Sequence, residues 1–112
     1  MLDDYTQVIW QHDVFVLESD RSVIGVVVLI RKGRGIVLDN VAVDPAYQGQ
    51  GHGRRLIECA ENEARRQGFA QLDLYTHECM TEDIAMYEHL GYVETERRSE
   101  RGYLRVYMQK QL

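Results

Sequence analysis

The chain has 112 residues, a formal net charge of -5 and a pI near 5.3. At this length one domain, residues 1–112, is the default, and the acidic balance argues against a protein that lives on nucleic-acid phosphates, which is usually basic. The longest apolar stretch, VIGVVVLI (23–30), is far too short to cross a bilayer. Cys59 and Cys79 form neither a disulfide framework nor a C-x-x-C motif, so the expected setting is the cytoplasm.

The leading segment MLDDYTQVIWQH leaves room for about one short helix. VFVLES (14–19) and VIGVVVLI (23–30) are rich in β-branched and aliphatic residues, with DRS (20–22) as a tight turn, and read as a hairpin. KGRG (32–35) turns the chain into a third strand, IVLDNVAV (36–43). Asp39 and Asn40 break its apolar alternation and mark a β-bulge. Asp44-Pro45 ends it. Leu56, Ile57, Ala60 and Ala64 then share one helical face, while Glu58, Glu61, Asn62, Arg65 and Arg66 share the other, with Glu61 and Arg65 spaced as an ion pair. Gly68 suits the left-handed stop of that helix.

AQLDLYT (70–76) alternates as a strand. TEDIAMYEHL (81–90) reads as a second helix, with Thr81 as its N-cap and Gly91 as its stop. YVETER (92–97) and YLRVYM (103–108) close the chain as a hairpin. The order β-β-β-α-β-α-β-β implies an α+β fold. Its sheet is mixed but mostly antiparallel, with a central right-handed β-α-β unit and helices packed on the sheet.

The segment VAVDPAYQGQGHGRRLI (41–57) concentrates glycines at Gly49, Gly51 and Gly53, between a strand and a helix. It fits neither the dinucleotide G-x-G-x-x-G nor the Walker pattern, which needs a lysine. The physics still favours an anion. Glycine lets a ligand approach the backbone, and the first turn of a helix offers free N–H groups at the positive end of a dipole. Arg54 and Arg55 add charge.

This segment, the A-x-x-x-G helix end at Ala64 to Gly68 and MYEHLGY (86–92) together resemble the GCN5-related N-acetyltransferase (GNAT) family over roughly residues 23 to 108. The resemblance implies acetyl-CoA as cosubstrate. Its pyrophosphate would lie on Gln48, Gly49, Gln50, Gly51, His52, Gly53 and Arg54, and its pantetheine arm would pair with Val41, Ala42 and Val43. It also implies an amine acceptor and makes Tyr87 the acid that protonates the leaving thiolate.

Asp39, His77 and Glu78 are the candidates for the base that relieves the amine of its proton. His77, Glu78 and Cys79 are adjacent and cannot converge on one ion from a strand, so no metal is expected. Where the family often carries an asparagine after the strand ending at Thr76, this chain has Met80 or Asp83. The family also begins with a strand and two helices, which the leading segment is too short to supply. Apolar surface left by that shortfall would be covered partly by Val8, Ile9 and Trp10, and for the rest by a second copy in a homodimer. Two other readings stay open: a catalytically weak or inactive acyl-CoA-binding regulatory module, and a general phosphate-ligand binder.

Overall fold

The structure is a computed structural model and describes the backbone of residues 6–11 and all of residues 14–112. Among the described residues, seven strands form one sheet in the order β1-β2-β3-β4-β5-β7-β6. They are β1 (Thr6–Gln11), β2 (Val14–Ser19), β3 (Ser22–Lys32), β4 (Gly35–Val43), β5 (Gln71–His77), β6 (Val93–Glu100) and β7 (Tyr103–Gln111). Helix α1 (His52–Arg66) connects β4 to β5, and α2 (Thr81–His89) connects β5 to β6. All pairings are antiparallel except β4 with β5. This is the expected mixed sheet around a β-α-β unit.

The leading segment departs from the expected short helix. Residues 6–11 form a strand that pairs with β2 from Thr6↔Ser19 to Gln11↔Val14. Val8, Ile9 and Trp10 prefer extended backbone, and β2 offers an edge two residues further along the chain. The covering role expected of those three side chains lies outside the described residues. With two residues between β1 and β2, no helix pair fits in that connection.

Burial alternates along β2 and along β5, which puts alternate side chains on one side of the sheet. That side carries Leu17, Val27, Leu29, Ile36, Leu38, Leu72, Leu74, Val106 and Met108, packed against Leu56, Ile57, Ala60 and Ala64 of α1 and Tyr87 of α2. Both helices lie over it. On the other side no helix lies among the described residues, and Val14, Val16, Val26, Val28 and Val37 are only half-buried.

Turn chemistry follows the residues. Asp20 and Arg21 both have positive φ, as a two-residue hairpin turn requires. Two helix details differ from the sequence reading. Met80, not Thr81, stands at the N-cap of α2, and no side chain caps it. Glu61 is not on the solvated face with Arg65. It is buried and accepts from the Tyr92 hydroxyl at 2.8 Å and from Lys110 Nζ at 3.0 Å. Arg65 donates to Asn62 instead. A cation on β7 and a phenol beyond α2 draw this carboxylate inward.

Candidate functional site

The site begins with a defect in the sheet. In the β3–β4 ladder Val28 pairs with Asn40 and Leu29 with Leu38, so Asp39 is the extra residue of a bulge. Bulges bend a strand and end its pairing. Accordingly β4 and β5 pair only at Val37↔Asp73 and Leu38↔Leu74, and then separate. Beyond that point Val41, Ala42 and Val43 remain paired to β3, while their edge towards β5 carries no ladder.

That free edge runs into the glycine turn. Asp44 caps a short 3₁₀ turn, Pro45–Tyr47, by accepting from the Ala46 amide. The Gln48 side-chain amide donates to the Val43 carbonyl at 3.0 Å, tying the turn to the end of β4. Gly49 (φ 79°) and Gly51 (φ 84°) both adopt the left-handed conformation that glycine alone enters cheaply. Gly51 is the N-cap of α1, which has no side-chain cap and no acidic residue in its first turn. The first-turn amides are therefore left for a ligand.

Edge, turn and helix end share one cleft of about 600 Å³. Its walls are Val41, Ala42, Val43, Gln48, Gly49, Gly51, His52, Gly53 and Arg54, faced by the start of α2. Of the residues expected to hold a cofactor, only Gln50 does not line it. Sequence reasoning missed Tyr47, Glu82 and Met86. Their positions follow from how α2 docks, which no local pattern announces. Met80 and Asp83, the two residues near the family's asparagine position, both line the cleft.

Tyr87 does not line this cleft. It is buried, its ring edge-on to Tyr92 at 5.8 Å between centroids. Asp83, one turn earlier on the same helix, does face the cleft. Burial first, and the Asp83 charge second, push the Tyr87 hydroxyl up to about 12.

On the opposite side of the sheet, at the same separation of β4 and β5, lies a second cavity of about 530 Å³. It contains Asp39, Asp73, Tyr75, Arg105 and Tyr107. The Tyr75 hydroxyl donates to Asp39 Oδ1 at 3.3 Å, and the Arg105 guanidinium lies 4.3 Å from the Tyr75 ring centre. Period-two alternation puts Asp73, Tyr75 and His77 on one face of β5, a signal present in the sequence.

The other candidate bases are committed locally. His77 Nδ1 accepts from the Cys79 amide and its ring lies 4.4 Å from Tyr103. Glu78 accepts from the Leu104 amide. Cys79 is exposed and free. Among the described residues no group of three His, Cys, Asp or Glu side chains is arranged to hold a metal.

Comparison with known proteins gives this geometry a context. Residues 10–94 match the acetyltransferase (GNAT) domain. A [ribosomal protein bS18]-alanine N-acetyltransferase of Escherichia coli (strain K12) is 44% identical over 64 residues, covering 53% of this chain and 43% of that protein. The match thus spans less than half of that relative. The crystal structure of the ribosomal-protein-S18-alanine N-acetyltransferase from Escherichia coli superposes with TM-score 0.80 at 27% identity, over 91% of this chain and 71% of that one. A GNAT family acetyltransferase from Elizabethkingia anophelis, solved with acetyl-CoA bound, shares the fold with TM-score 0.79 at 20% identity, over 88% and 75% of the two chains. The split sheet, the glycine turn and the matched domain agree, and the chain belongs to the GNAT acetyltransferase family.

Proposed function

We propose that this chain is an N-acetyltransferase that moves the acetyl group of acetyl-CoA to a primary amine of a small molecule or peptide. The observation that carries the reading is the continuity of the free β4 edge with the open glycine turn in one cleft. The residues present fit the cofactor. Nothing lies within 4 Å of where a Cβ would stand on Gly49 or Gly51, so the backbone is open to close approach. Gln48 to Arg54 would hold the pyrophosphate through first-turn amides and the Arg54 charge, and Val41 to Val43 would pair with the pantetheine arm as an added strand. We take residues 1–112 as one such domain and the cytoplasm, where Cys59 and Cys79 stay free, as its setting.

Acetyl-CoA, when bound, supplies an activated thioester. The protein's task is proton management. A free alkyl amine titrates near ~10.4 and is charged at neutral pH. Asp39, on the far side of the gap from the cleft, takes up its proton directly or through water. The Tyr87 hydroxyl stays protonated through neutral pH and, set behind the cleft wall at Asp83 and Met86, would be the group to donate to the departing sulfur. An acid held near 12 is far from the ideal of a donor matched to the working pH. Its contribution therefore falls at the low end of the general-acid range.

The half-buried valines of β2, β3 and β4 favour a second copy as cover on the open side, which light scattering across a dilution series would test. That same open side favours the second reading, an acyl-CoA-binding module with little turnover. Calorimetry separates binding from catalysis. Acetyl-CoA should bind well above AMP or NAD, and an amine screen with thiol-release detection should then show turnover. Binding without release of thiol on any amine supports the module, and equal weak binding of all three nucleotides removes both readings.

A further inference from the structure

The cavity behind Asp39 is much larger than one reacting nitrogen needs. Its walls combine the tilted rings of Tyr75 and Tyr107, 5.9 Å apart, with the apolar Val37 and Ile30. Two of its five charged side chains are already matched. Glu96 is paired with Arg98 at 2.8 Å, Arg105 with Glu100 at 3.2 Å, and Lys32 is exposed at the rim. Among the described residues two lining carboxylates enter no ion pair. They are Asp39, held by the Tyr75 hydroxyl, and Asp73, held by the Gln71 amide at 3.1 Å.

We propose that this cavity selects a linear aliphatic α,ω-diamine as acceptor, its reacting amine at Asp39 and its far ammonium at Asp73. The proposal rests on the reading of the chain as an N-acetyltransferase. Asp73 is partly buried and on the same face of β5 as Tyr75, two residues earlier. Burial raises its carboxyl above the usual range, and Gln71 offsets this only in part. A carboxylate short of solvation, with an aromatic wall beside it, is a seat for a cation. Val37 pairs with Asp73, so Asp39 stands one strand across and two residues along from it, about 4.8 Å by 6.6 Å or roughly 8 Å in all, which a diamine of roughly four or five carbons spans together with its two hydrogen bonds. The alkyl chain would lie on the tyrosine rings. An acceptor bearing a carboxylate would find Arg105 already held by Glu100 and Tyr75, and otherwise only Lys32 at the exposed rim. The transfer forms one C–N bond and breaks one C–S bond. Of the two protons the reacting ammonium sheds, one ends on the sulfur and the other reaches solvent through Asp39. The far ammonium is unchanged.

The test compares kcat/KM for 1,4-diaminobutane, butylamine and 4-aminobutanoate, and then for diamines of two and eight carbons. The diamine of four carbons should exceed butylamine by about tenfold, the worth of one charge-assisted contact, with 4-aminobutanoate slowest. In Asp73→Asn the ratio of diamine to butylamine should fall to near one. Being a ratio, it does not depend on how much of the variant folds. Titration of 1,4-diaminobutane into the protein without acetyl-CoA should show the same loss in binding. If butylamine matches the diamine, if 4-aminobutanoate outruns it, or if Asp73→Asn leaves the ratio intact, the diamine proposal is overturned while the transferase reading stands. If no amine is acetylated although acetyl-CoA binds, the transferase reading fails. The titration then decides the Asp73 seat by itself, and equal binding to parent and variant removes it.

Discussion

The Tyr75 hydroxyl donates a 3.3 Å hydrogen bond to Asp39 across the place where β4 and β5 stop pairing. The bond joins a bulge residue to a strand residue 36 positions away and fixes the carboxylate at the gap between the two cavities. Asp39→Asn should lower acetyl transfer by about 10²-fold near neutral pH, the low end of general acid–base effects. The deficit should shrink as pH rises towards the amine's own pKa, where the substrate arrives already neutral. A pH–rate comparison of parent and variant checks this. A deficit that stays constant with pH would mean that Asp39 does not take the proton.

Gly51→Ala should weaken acetyl-CoA binding by at least about tenfold and lower stability by about 1–2 kcal/mol, the cost of a left-handed non-glycine residue. Gly53→Ala is the control for strain. Its φ is not positive, and the new Cβ would meet Val43 Cγ2 at an ordinary 3.8 Å. It should therefore melt as the parent does. Calorimetry and thermal melting on both variants separate the two effects, and parent-like binding by Gly51→Ala would move the phosphate seat elsewhere.

Tyr87→Phe keeps the ring against Tyr92 and removes only the hydroxyl. Turnover should fall by about 10²-fold with acetyl-CoA affinity unchanged. If single-turnover rates equal those of the parent, Tyr87 is a core aromatic and nothing more. The structure makes this outcome a sharp one, since the side chain is buried and does not itself line the cleft at the glycine turn.

Lys110→Met should destabilise the fold by about 2–4 kcal/mol, because it strips the buried Glu61 of its cation and leaves only the Tyr92 hydroxyl. The double change Lys110→Met with Glu61→Leu should recover much of the loss. Denaturant melts of the three proteins read both values. An additive double variant would show that the two side chains are not coupled.

Local chemistry explains which parts of this were legible beforehand. Gly49 and Gly51 announce positive φ because nothing else enters that region cheaply. Asp39 and Asn40 announce a bulge because they break a period of two. Those two signals mark the residues that line the cleft beside α1. The burial of Glu61 is not legible locally, because its partner is 49 residues away on β7 and helical spacing sees only neighbours four residues apart. The strand at Thr6–Gln11 is not legible locally, because a single short segment takes its state from the edge it meets. The cavity on the open side was legible only in fragments. The alternation of β5 put Asp73 beside Tyr75, but Arg105 and Tyr107 reach them through the β5–β7 register.

With only two residue pairs between β4 and β5, the sheet amounts to two blades, β1 to β4 and β5 to β7, held together mainly by the shared core beneath α1. Cohesion between the blades is then a property a ligand can supply. A molecule laid along Val41 to Val43 adds rungs to the unfinished ladder. Amide exchange should find the two blades opening at different rates in the empty protein, and opening as one unit once the gap is filled.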